Sequence, residues 1–277
     1  MSQARFATSE ALRQMDGINR RAWSDSSTVR SFQRRQGWTD PGERAALDSV
    51  TAEATDQPIL DIGVGAGRTI PLVLPISRDY VGLDYTPELV RACREKYPDV
   101  RVLQGDARDL SAFADDTFQL VIFSFNGIDA VCPSDRIAIL CEIHRVLRLG
   151  GALLFSTHNQ DGPGHGERLR FGVVGTRNPL KLASRVAFAM AHARRTIRNY
   201  QRYSKLRHDG DGYSVRNASA HDHGILVHYI TLQSQLEQLE TVGFQPRPLV
   251  WASSDGRRLL PQDDTTDSWW FHLVARK

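Results

Sequence analysis

A short glycine-rich turn between two apolar runs constrains this chain more than any other feature. Gly63 and Gly65 follow the run Ile59–Ile62, which reads as a buried strand. Glycine is needed at such a turn because a side chain would hold the backbone away from a ligand packed against it. A second run, residues 80–83, ends in Asp84 about twenty residues later, the spacing at which a carboxylate takes ribose hydroxyls. We therefore predict a cofactor that contains a nucleoside.

The pattern around this turn is an alternation of strands and helices. Apolar runs predict strands at 58–62, 79–84, 100–104, 118–124 and 151–157, with helices between them at 66–75, 86–97 and 134–148. A helix at 233–242 and strands near 247–252 and at 269–275 complete the series. Because the runs are nearly continuous rather than alternating, both faces of the sheet should be covered. The class is therefore α/β, with a doubly wound parallel sheet.

Composition excludes several other classes of protein. The 277 residues, 41% hydrophobic and 24% charged, are those of an ordinary globular protein with room for one domain and a cap. No apolar run approaches the roughly 18 residues of a membrane span, and the polar N-terminus lacks a signal-peptide core. The three cysteines show no paired framework, which favours a cytoplasmic location. A net charge of +3 is too small to argue for nucleic acid.

Two classes of nucleotide cofactor compete for the glycine turn, and Asp84 does not separate them. Both a dinucleotide oxidoreductase and a methyltransferase place an acid after the second strand. The third predicted strand is followed by Asp106, where an adenine amino group could donate to it. A Gly-Gly turn at 150–151 then leads into the fifth strand. A dehydrogenase leaves both of these features unexplained.

In this order, the segments resemble those of class I S-adenosylmethionine-dependent methyltransferases of the small-molecule type. The resemblance covers residues 58–158 and the final helix and two strands. It depends on Asp-Ile-Gly-Val-Gly-Ala-Gly (61–67), Gly-Leu-Asp-Tyr (82–85), Gly-Asp-Ala (105–107) and Arg-Val-Leu-Arg-Leu-Gly-Gly (145–151). Leu149 departs from it, because the family usually has proline there. The resemblance implies a Rossmann-like fold with a seven-stranded sheet, an antiparallel last strand and a helical cap, and S-adenosyl-L-methionine as the cofactor.

The resemblance also implies roles at the methionine end of the cofactor. Gly63 and Gly65 would let the backbone approach the methionine part. Asp61 would support the turn or bind the amino group. Phe125 and Asn126, at the end of the fourth strand, would border the sulfonium and the incoming acceptor.

Four further residues are implied at the nucleoside end. Asp84 would bind the ribose hydroxyls, and Tyr85 would pack near the adenine. Asp106 would accept from the adenine amino group, with a backbone contact from Ala107. Each acid has a structural alternative, since Asp84 could cap the helix that opens near Pro87 and Asp106 could hold a loop.

Methyl transfer from a sulfonium mainly requires alignment of the acceptor and exclusion of water, but a hydroxyl or protonated amine also needs a base. His158 is our first candidate, because it ends the fifth strand at the edge where such folds bind ligands and because histidine changes charge near neutral pH. His223 is the second, and either could instead hold a loop. The run 221–223 resembles a metal pair, but no third ligand has a fixed spacing, so no metal is expected.

Two segments lie outside the core formed by residues 57–158 and 228–277. Residues 1–56 and the insertion 159–227 both read as mostly helical, and in the resembling enzymes segments at these places form a lid over the acceptor. Within the insertion, Asn178-Pro179 predicts the start of a helix. Its apolar stripe comprises Leu182, Val186, Ala189, Ala193, Ile197 and Tyr200. The predicted acceptor-binding residues are Trp23, Asp129, Asn159, Tyr200 and Tyr229.

The insertion holds twelve Lys or Arg against five Asp or Glu, so one face of its helix is basic. Such a face fits a solvated or substrate-facing lid, a nucleic-acid dock or a membrane-surface helix. Nucleic acid is the less favoured partner, because no binding appendage accompanies the helix. We predict methyl transfer to an oxygen or nitrogen of a small organic metabolite. RNA methylation, and use of the cofactor pocket without methyl transfer, remain alternatives; the sequence predicts neither the acceptor nor the oligomeric state.

Overall fold

A computed structural model describes residues 10–34, 37–166 and 179–277. Its strands are β1 (Ile59–Ile62), β2 (Tyr80–Asp84), β3 (Val102–Gln104), β4 (Phe118–Phe123), β5 (Leu147–Asn159), β6 (His208–Gly210), β7 (Tyr213–Ala218), β8 (Ile225–Ile230), β9 (Leu249–Ala252), β10 (Arg258–Leu259) and β11 (Trp270–Arg276). Its helices are α1 (Glu10–Trp23), α2 (Ser26–Arg34), α3 (Pro41–Ala54), α4 (Ile70–Val73), α5 (Pro87–Lys96), α6 (Pro133–Val146), α7 (Pro179–Tyr203), the short α8 (Ala220–His223) and α9 (Leu232–Val242).

The central sheet has the order β3-β2-β1-β4-β5-β11-β9, with β10 at its outer edge. Neighbours from β3 to β5 are parallel, and β11 is antiparallel to both β5 and β9. The prediction of a doubly wound seven-stranded sheet with an antiparallel last strand is therefore confirmed. Pairing of Asp84 with Gln104 brings the ends of β2 and β3 to one edge, close to the glycine turn.

Both faces of this sheet are covered, as the continuous apolar runs predict. Side chains alternate between faces along a strand, so Leu60 and Ile62 enter one buried cluster and Ile59 enters the other. The second cluster includes Leu47 and Val50 of α3. Helix α3 begins after Asp40, whose side chain accepts from the backbone N–H of Glu43 at 2.8 Å.

The insertion contains strands that its sequence pattern does not predict. β6, β7 and β8 form an antiparallel group, and β8 also pairs in parallel with β5, so this group extends the main sheet. β8 spans the boundary predicted at residue 227. Helix α1 packs on the group through Met15 and Ile18, which contact Val215 and Leu226. The pairing of β8 with β5 is non-local, and helical periodicity carries no information about it.

Helix α7 confirms the long helix predicted in the insertion. It begins at Pro179, and Asn178 lies outside the described residues, as do the side chains of Leu182 and Ala189. Val186 and Ile197 from the predicted apolar stripe are each 39% exposed, so the stripe is not fully buried at these positions. Within the described ranges, no helix combines the length and apolar character needed to cross a bilayer.

His228 on β8 gives the fold a specific sensitivity to acid. Its ring is fully buried, stacks on Tyr213 with centroids 5.1 Å apart, and has no hydrogen-bond partner among the described residues. Burial, with repulsion from Arg136, lowers the pKa of His228 to about 3. The unfolded chain takes up this proton near the ordinary value of 6.5. Stability should therefore fall by roughly 1.4 kcal/mol per pH unit as the pH drops from 6.5 towards 3.

We expect His228→Leu to remove this contribution, because leucine binds no proton in either state. Urea unfolding at neutral pH and at about pH 5 should show a smaller loss of stability in the variant than in the wild type. Equal losses in the two proteins would contradict the assignment to His228.

Candidate active site

The glycine turn after β1 has the backbone conformation that its sequence predicts. Gly63 and Gly65 have φ angles of 67° and 57°, in the left-handed region that glycine adopts without strain. A Cβ on Gly63 would lie 2.9 Å from the Phe123 ring. Asp61 lies under the turn, where its carboxylate accepts from the Thr69 hydroxyl and, at 2.7 Å, from that of Tyr80. These contacts fit the first of its two predicted roles, support of the turn.

The turn forms one wall of a cavity at the carboxyl edge of β1 to β4. Seven of the nine predicted cofactor residues line it: Gly63, Gly65, Asp84, Tyr85, Asp106, Ala107 and Phe125. The other two do not, since Asp61 is beneath the turn and Asn126 lines an adjoining cavity. The ordered motifs of the sequence thus converge on one space.

Asp84 keeps acceptor capacity for a ligand. One carboxylate oxygen accepts from the backbone N–H of Gly65 at 2.9 Å, and the other accepts from that of Thr86 at 2.8 Å. An ionised carboxylate has about four acceptor positions, so about two are left over. Burial raises the pKa of Asp84, and the two amide hydrogen bonds oppose that shift. The group therefore both orders the turn and can accept from two hydroxyls.

Asp106 is more heavily engaged. It accepts from the backbone N–H and two guanidinium nitrogens of Arg108, and from Nη2 of Arg20 at 2.9 Å. Burial opposes its charge, but these donors outweigh burial and lower the pKa of Asp106 to about 2. The Arg20 guanidinium also lies over the Tyr85 ring, 4.4 Å from its centroid. Sequence reasoning missed Arg20, because nothing local marks a residue of α1 as a neighbour of β3.

A second cavity of about 400 Å³ adjoins the first. The two share Trp23, Phe32, Phe125 and Ala130 as walls. Besides Phe125, five predicted residues line the larger cavity: Trp23, Asn126, Asp129, His158 and Tyr229. Trp269 and Trp270 also line it and were not predicted. A transferable group in the first cavity and an acceptor in the second would be direct neighbours.

His158 and Asp129 form a hydrogen-bonded pair in the wall of the larger cavity. Nδ1 of His158 is 2.8 Å from Oδ2 of Asp129, and the His158 backbone N–H donates to the same oxygen at 2.7 Å. With the Nδ1 proton directed at the carboxylate, Nε2 is the nitrogen that can accept a proton. Nε2 lies 3.4 Å from the side-chain nitrogen of Asn126. This is the geometry of an oriented general base.

A buried arginine supports this pair. Arg136 of α6 is 0% exposed and donates to Oδ1 of Asp129, which also accepts from the Thr157 hydroxyl at 2.8 Å. Burial opposes the charge of Asp129, but attraction from Arg136 and the hydrogen bond from His158 outweigh it and hold the pKa of Asp129 below its ordinary value. A sequence signal for Arg136 exists, because it lies one turn from Leu140 on the apolar face of its helix.

Besides Asp61, three predicted site residues line neither cavity, and these predictions are corrected. Asn159 follows His158 on β5 and therefore points to the opposite face of the sheet, where its amide donates to the carbonyls of Thr265 and Ser268. His223 is buried 3.0 Å from the side-chain oxygen of Asn217. Tyr200 packs edge-on against the His223 ring. Among the described residues, no group of three or more His, Cys, Asp or Glu is arranged to hold a metal.

The family model described as a methyltransferase domain matches residues 59–151, the part of the chain that holds the glycine turn, Asp84 and Asp106. The chain contains a methyltransferase domain. The strain-free glycines and the spare acceptor positions of Asp84 fit the methionine and ribose parts of S-adenosylmethionine, the cofactor that the sequence resemblance implies.

Relatives match this methyltransferase domain rather than the whole chain. A demethylmenaquinone methyltransferase of Beutenbergia cavernae is 35% identical over 117 residues, which are 41% of this chain and 47% of the relative. A probable S-adenosylmethionine-dependent methyltransferase of Mycolicibacterium smegmatis is 32% identical over 102 residues, covering 37% and 38% of the two chains. The chain thus spans about half or less of the length of these relatives.

Solved structures match over most of the chain. The CcbJ methyltransferase of Streptomyces caelestis has a TM-score of 0.59 at 17% identity, covering 92% of this chain and 97% of that one. A 1,6-didemethyltoxoflavin-N1-methyltransferase of Burkholderia thailandensis has a TM-score of 0.56 at 15% identity, covering 96% and 90%. At such identities the likeness shows the fold alone.

Proposed function

We propose that this chain transfers a methyl group from S-adenosylmethionine to an oxygen or nitrogen of a small organic molecule, with His158 as the general base. The observation that carries the proposal is the hydrogen bond from His158 to the buried carboxylate of Asp129, in a cavity that adjoins the cofactor cavity. Each part of the reaction then has residues that fit it.

The bound cofactor would supply a methyl group already activated by the positive sulfur. Gly63 and Gly65 would admit its methionine part and Asp84 its ribose. Asp129 holds the His158 ring so that Nε2 would accept the acceptor's proton as the methyl group bonds to the acceptor and its bond to sulfur breaks, which would leave S-adenosylhomocysteine. The aromatic walls of the larger cavity would exclude water and align the acceptor, which is most of the catalytic task for an activated methyl group.

Methylation of carbon is a second candidate, favoured by a ubiquinone/menaquinone biosynthesis C-methyltransferase of Geobacter sp. (strain M21) that is 36% identical over 110 residues. The same base serves it, because removing the proton from a ring hydroxyl leaves a negative charge shared between the oxygen and the ring carbons beside it. Mass and NMR analysis of the methylated product distinguishes an oxygen-bound methyl group from a carbon-bound one.

The cofactor assignment predicts the effect of Asp84→Ala. We expect the variant to show no measurable binding of S-adenosylhomocysteine by calorimetry, because it loses the ribose acceptor and the acceptor of the Gly65 N–H. Asp79→Ala is the matched control, an exposed acid just before the other end of β2, and should bind as the wild type does. Unchanged affinity in Asp84→Ala would remove Asp84 from the cofactor site.

Asp106 already accepts hydrogen bonds from Arg20 and Arg108, so replacing Arg20 is expected to strengthen cofactor binding. If the adenine amino group binds Asp106, it must replace a donor, and half-exposed Arg20 is held less firmly than Arg108. Partly exposed ion pairs are worth about 0.2–1 kcal/mol, so Arg20→Gln should tighten binding of S-adenosylhomocysteine by roughly 1.5- to 5-fold. Arg21→Gln, next to it on α1 and exposed, should leave the affinity unchanged. Weaker binding in Arg20→Gln would mean that Arg20 itself contacts the cofactor.

A further inference from the structure

We propose that the acceptor is a neutral, planar aromatic alcohol, held with its reacting hydroxyl beside His158 and Asn126. This inference rests on the proposed methyl transfer and narrows its substrate class. The charge, the shape and the polar groups of the larger cavity each support it.

The described lining of the cavity offers no unengaged charged side chain to a charged acceptor. It contains no lysine or arginine, two histidines (His158 and His221) and one carboxylate, Asp129. Both oxygens of Asp129 are engaged, one by Arg136 and Thr157 and the other by His158. An acceptor carrying a carboxylate, a phosphate or an ammonium group would therefore lose its hydration without gaining an ion pair, which is costly in an apolar cavity.

The basic face of α7 does not alter this balance where its side chains are described. Arg195 donates to Asp25 of the N-terminal segment at 3.0 Å and lies 3.6 Å from Asp222. It is not among the residues that line the cavity. These contacts tie α7 to its neighbours, so at this position the positive charge of the basic face holds the cap together.

The walls favour a flat ring system. Six aromatic side chains line the cavity: Trp23, Phe32, Phe125, Tyr229, Trp269 and Trp270. Trp23 meets Phe32 edge-on with centroids 5.7 Å apart, and Phe125 meets Trp270 at 6.2 Å. Aromatic surfaces in such a wall gain most from stacked or edge-on contact with another ring. A volume of about 400 Å³ is that of a small-molecule site.

The polar end of the cavity favours a hydroxyl as the reacting group. Nε2 of His158 lies 3.4 Å from the side-chain nitrogen of Asn126. A hydroxyl placed against both can donate its one proton to Nε2 and accept from the Asn126 side-chain nitrogen. A phenol also yields its proton to an imidazole far more readily than an aromatic amine does.

Three probes of one ring size test the proposal: 2-naphthol, 2-naphthylamine and 6-hydroxy-2-naphthoate. Binding is measured by calorimetry with S-adenosylhomocysteine present, and turnover by transfer of labelled methyl. We expect 2-naphthol to bind and react with kcat/KM at least about tenfold above the other two. Equal use of the three, preference for the amine or the carboxylate, or no binding of 2-naphthol would each overturn the proposal.

A charge placed in the wall provides a second readout. Trp269→Arg should improve the affinity for 6-hydroxy-2-naphthoate relative to 2-naphthol by about tenfold, since the cavity then holds a cation. Leu260→Arg is the matched control, because Leu260 is exposed and does not line the cavity, and it should leave the preference unchanged. An unchanged preference in Trp269→Arg would also overturn the proposal.

The acceptor class and the proposed function fail in different ways. If 2-naphthol binds selectively but no methyl group is transferred to any probe, the cavity is assigned correctly and the reaction is not. If labelled methyl passes instead to a charged acceptor, the methyl transfer stands and the acceptor class is wrong.

Discussion

Replacing His158 with glutamine is expected to lower kcat for methyl transfer to a hydroxyl by about 10²- to 10⁴-fold, the usual contribution of a general base. Glutamine is similar in length and can still donate to Asp129, so the fold and cofactor binding should be retained. S-adenosylhomocysteine affinity and the thermal unfolding midpoint test this directly. His144→Gln is the matched control, since His144 lies on α6 beside the Gly243 carbonyl and lines neither cavity.

Acceptors of different acidity distinguish a general base from a residue that only positions the acceptor. A phenol that carries electron-withdrawing groups is already ionised at neutral pH and needs no base, so the loss in His158→Gln should shrink for such acceptors. A loss of equal size for weakly and strongly acidic phenols would point to a positioning role for the ring. A kcat close to that of the wild type with every acceptor would remove His158 from the chemistry.

Replacing Arg136 with methionine is expected to lower the free energy of unfolding by about 3–5 kcal/mol. The change leaves Asp129, which is 1% exposed, as a buried charge without its cation. The pKa of Asp129 should then rise, because burial is no longer offset by the guanidinium. Urea denaturation measures the stability, and methyl transfer should fall with it because His158 loses an ionised partner.

Two further variants separate the buried pair from a general effect of removing arginine. Arg145→Met alters the same helix at a partly exposed ion pair and should cost less than about 1 kcal/mol. The double variant Arg136→Met with Asp129→Leu removes both charges and should recover much of the lost stability while methyl transfer stays low. A single Arg136→Met variant as stable as the wild type would show that the pair contributes little.

The sequence predicted best the parts of the site that depend on short motifs of neighbouring residues. The glycines after β1 and the acids after β2 and β3 each follow a buried strand, and parallel pairing brings strand ends to one edge of the sheet. His158 also follows from position, since it lies near the end of β5. The position of Asn159 in the chain was not enough, because adjacent residues of a strand point to opposite faces of the sheet. The end of a strand alone does not tell whether His158 or Asn159 faces the ligand.

What the sequence did not predict depends on contacts between distant segments. Arg20 reaches Asp106 across 86 positions, and Trp270 is anchored by Asp40 across 230. Strand β8 belongs to the same class, because one of its pairing partners, β5, lies outside the insertion. Tyr200 and His223 were assigned to the site from their side-chain chemistry alone. In the structure their rings contact each other, and neither lines the cavity.

The pairing of β8 with β5 has a mechanical consequence. His158 and Tyr229 are partners in that ladder, and their rings lie 5.2 Å apart. His158 and Tyr229 cannot separate without breaking backbone hydrogen bonds between β5 and β8, so we expect this wall of the larger cavity to be rigid. Among the described contacts, α1 packs on the sheet through side chains such as Met15 and Ile18. We therefore expect the wall of the cavity formed by Trp23 and Phe32 to be the one that moves when an acceptor enters.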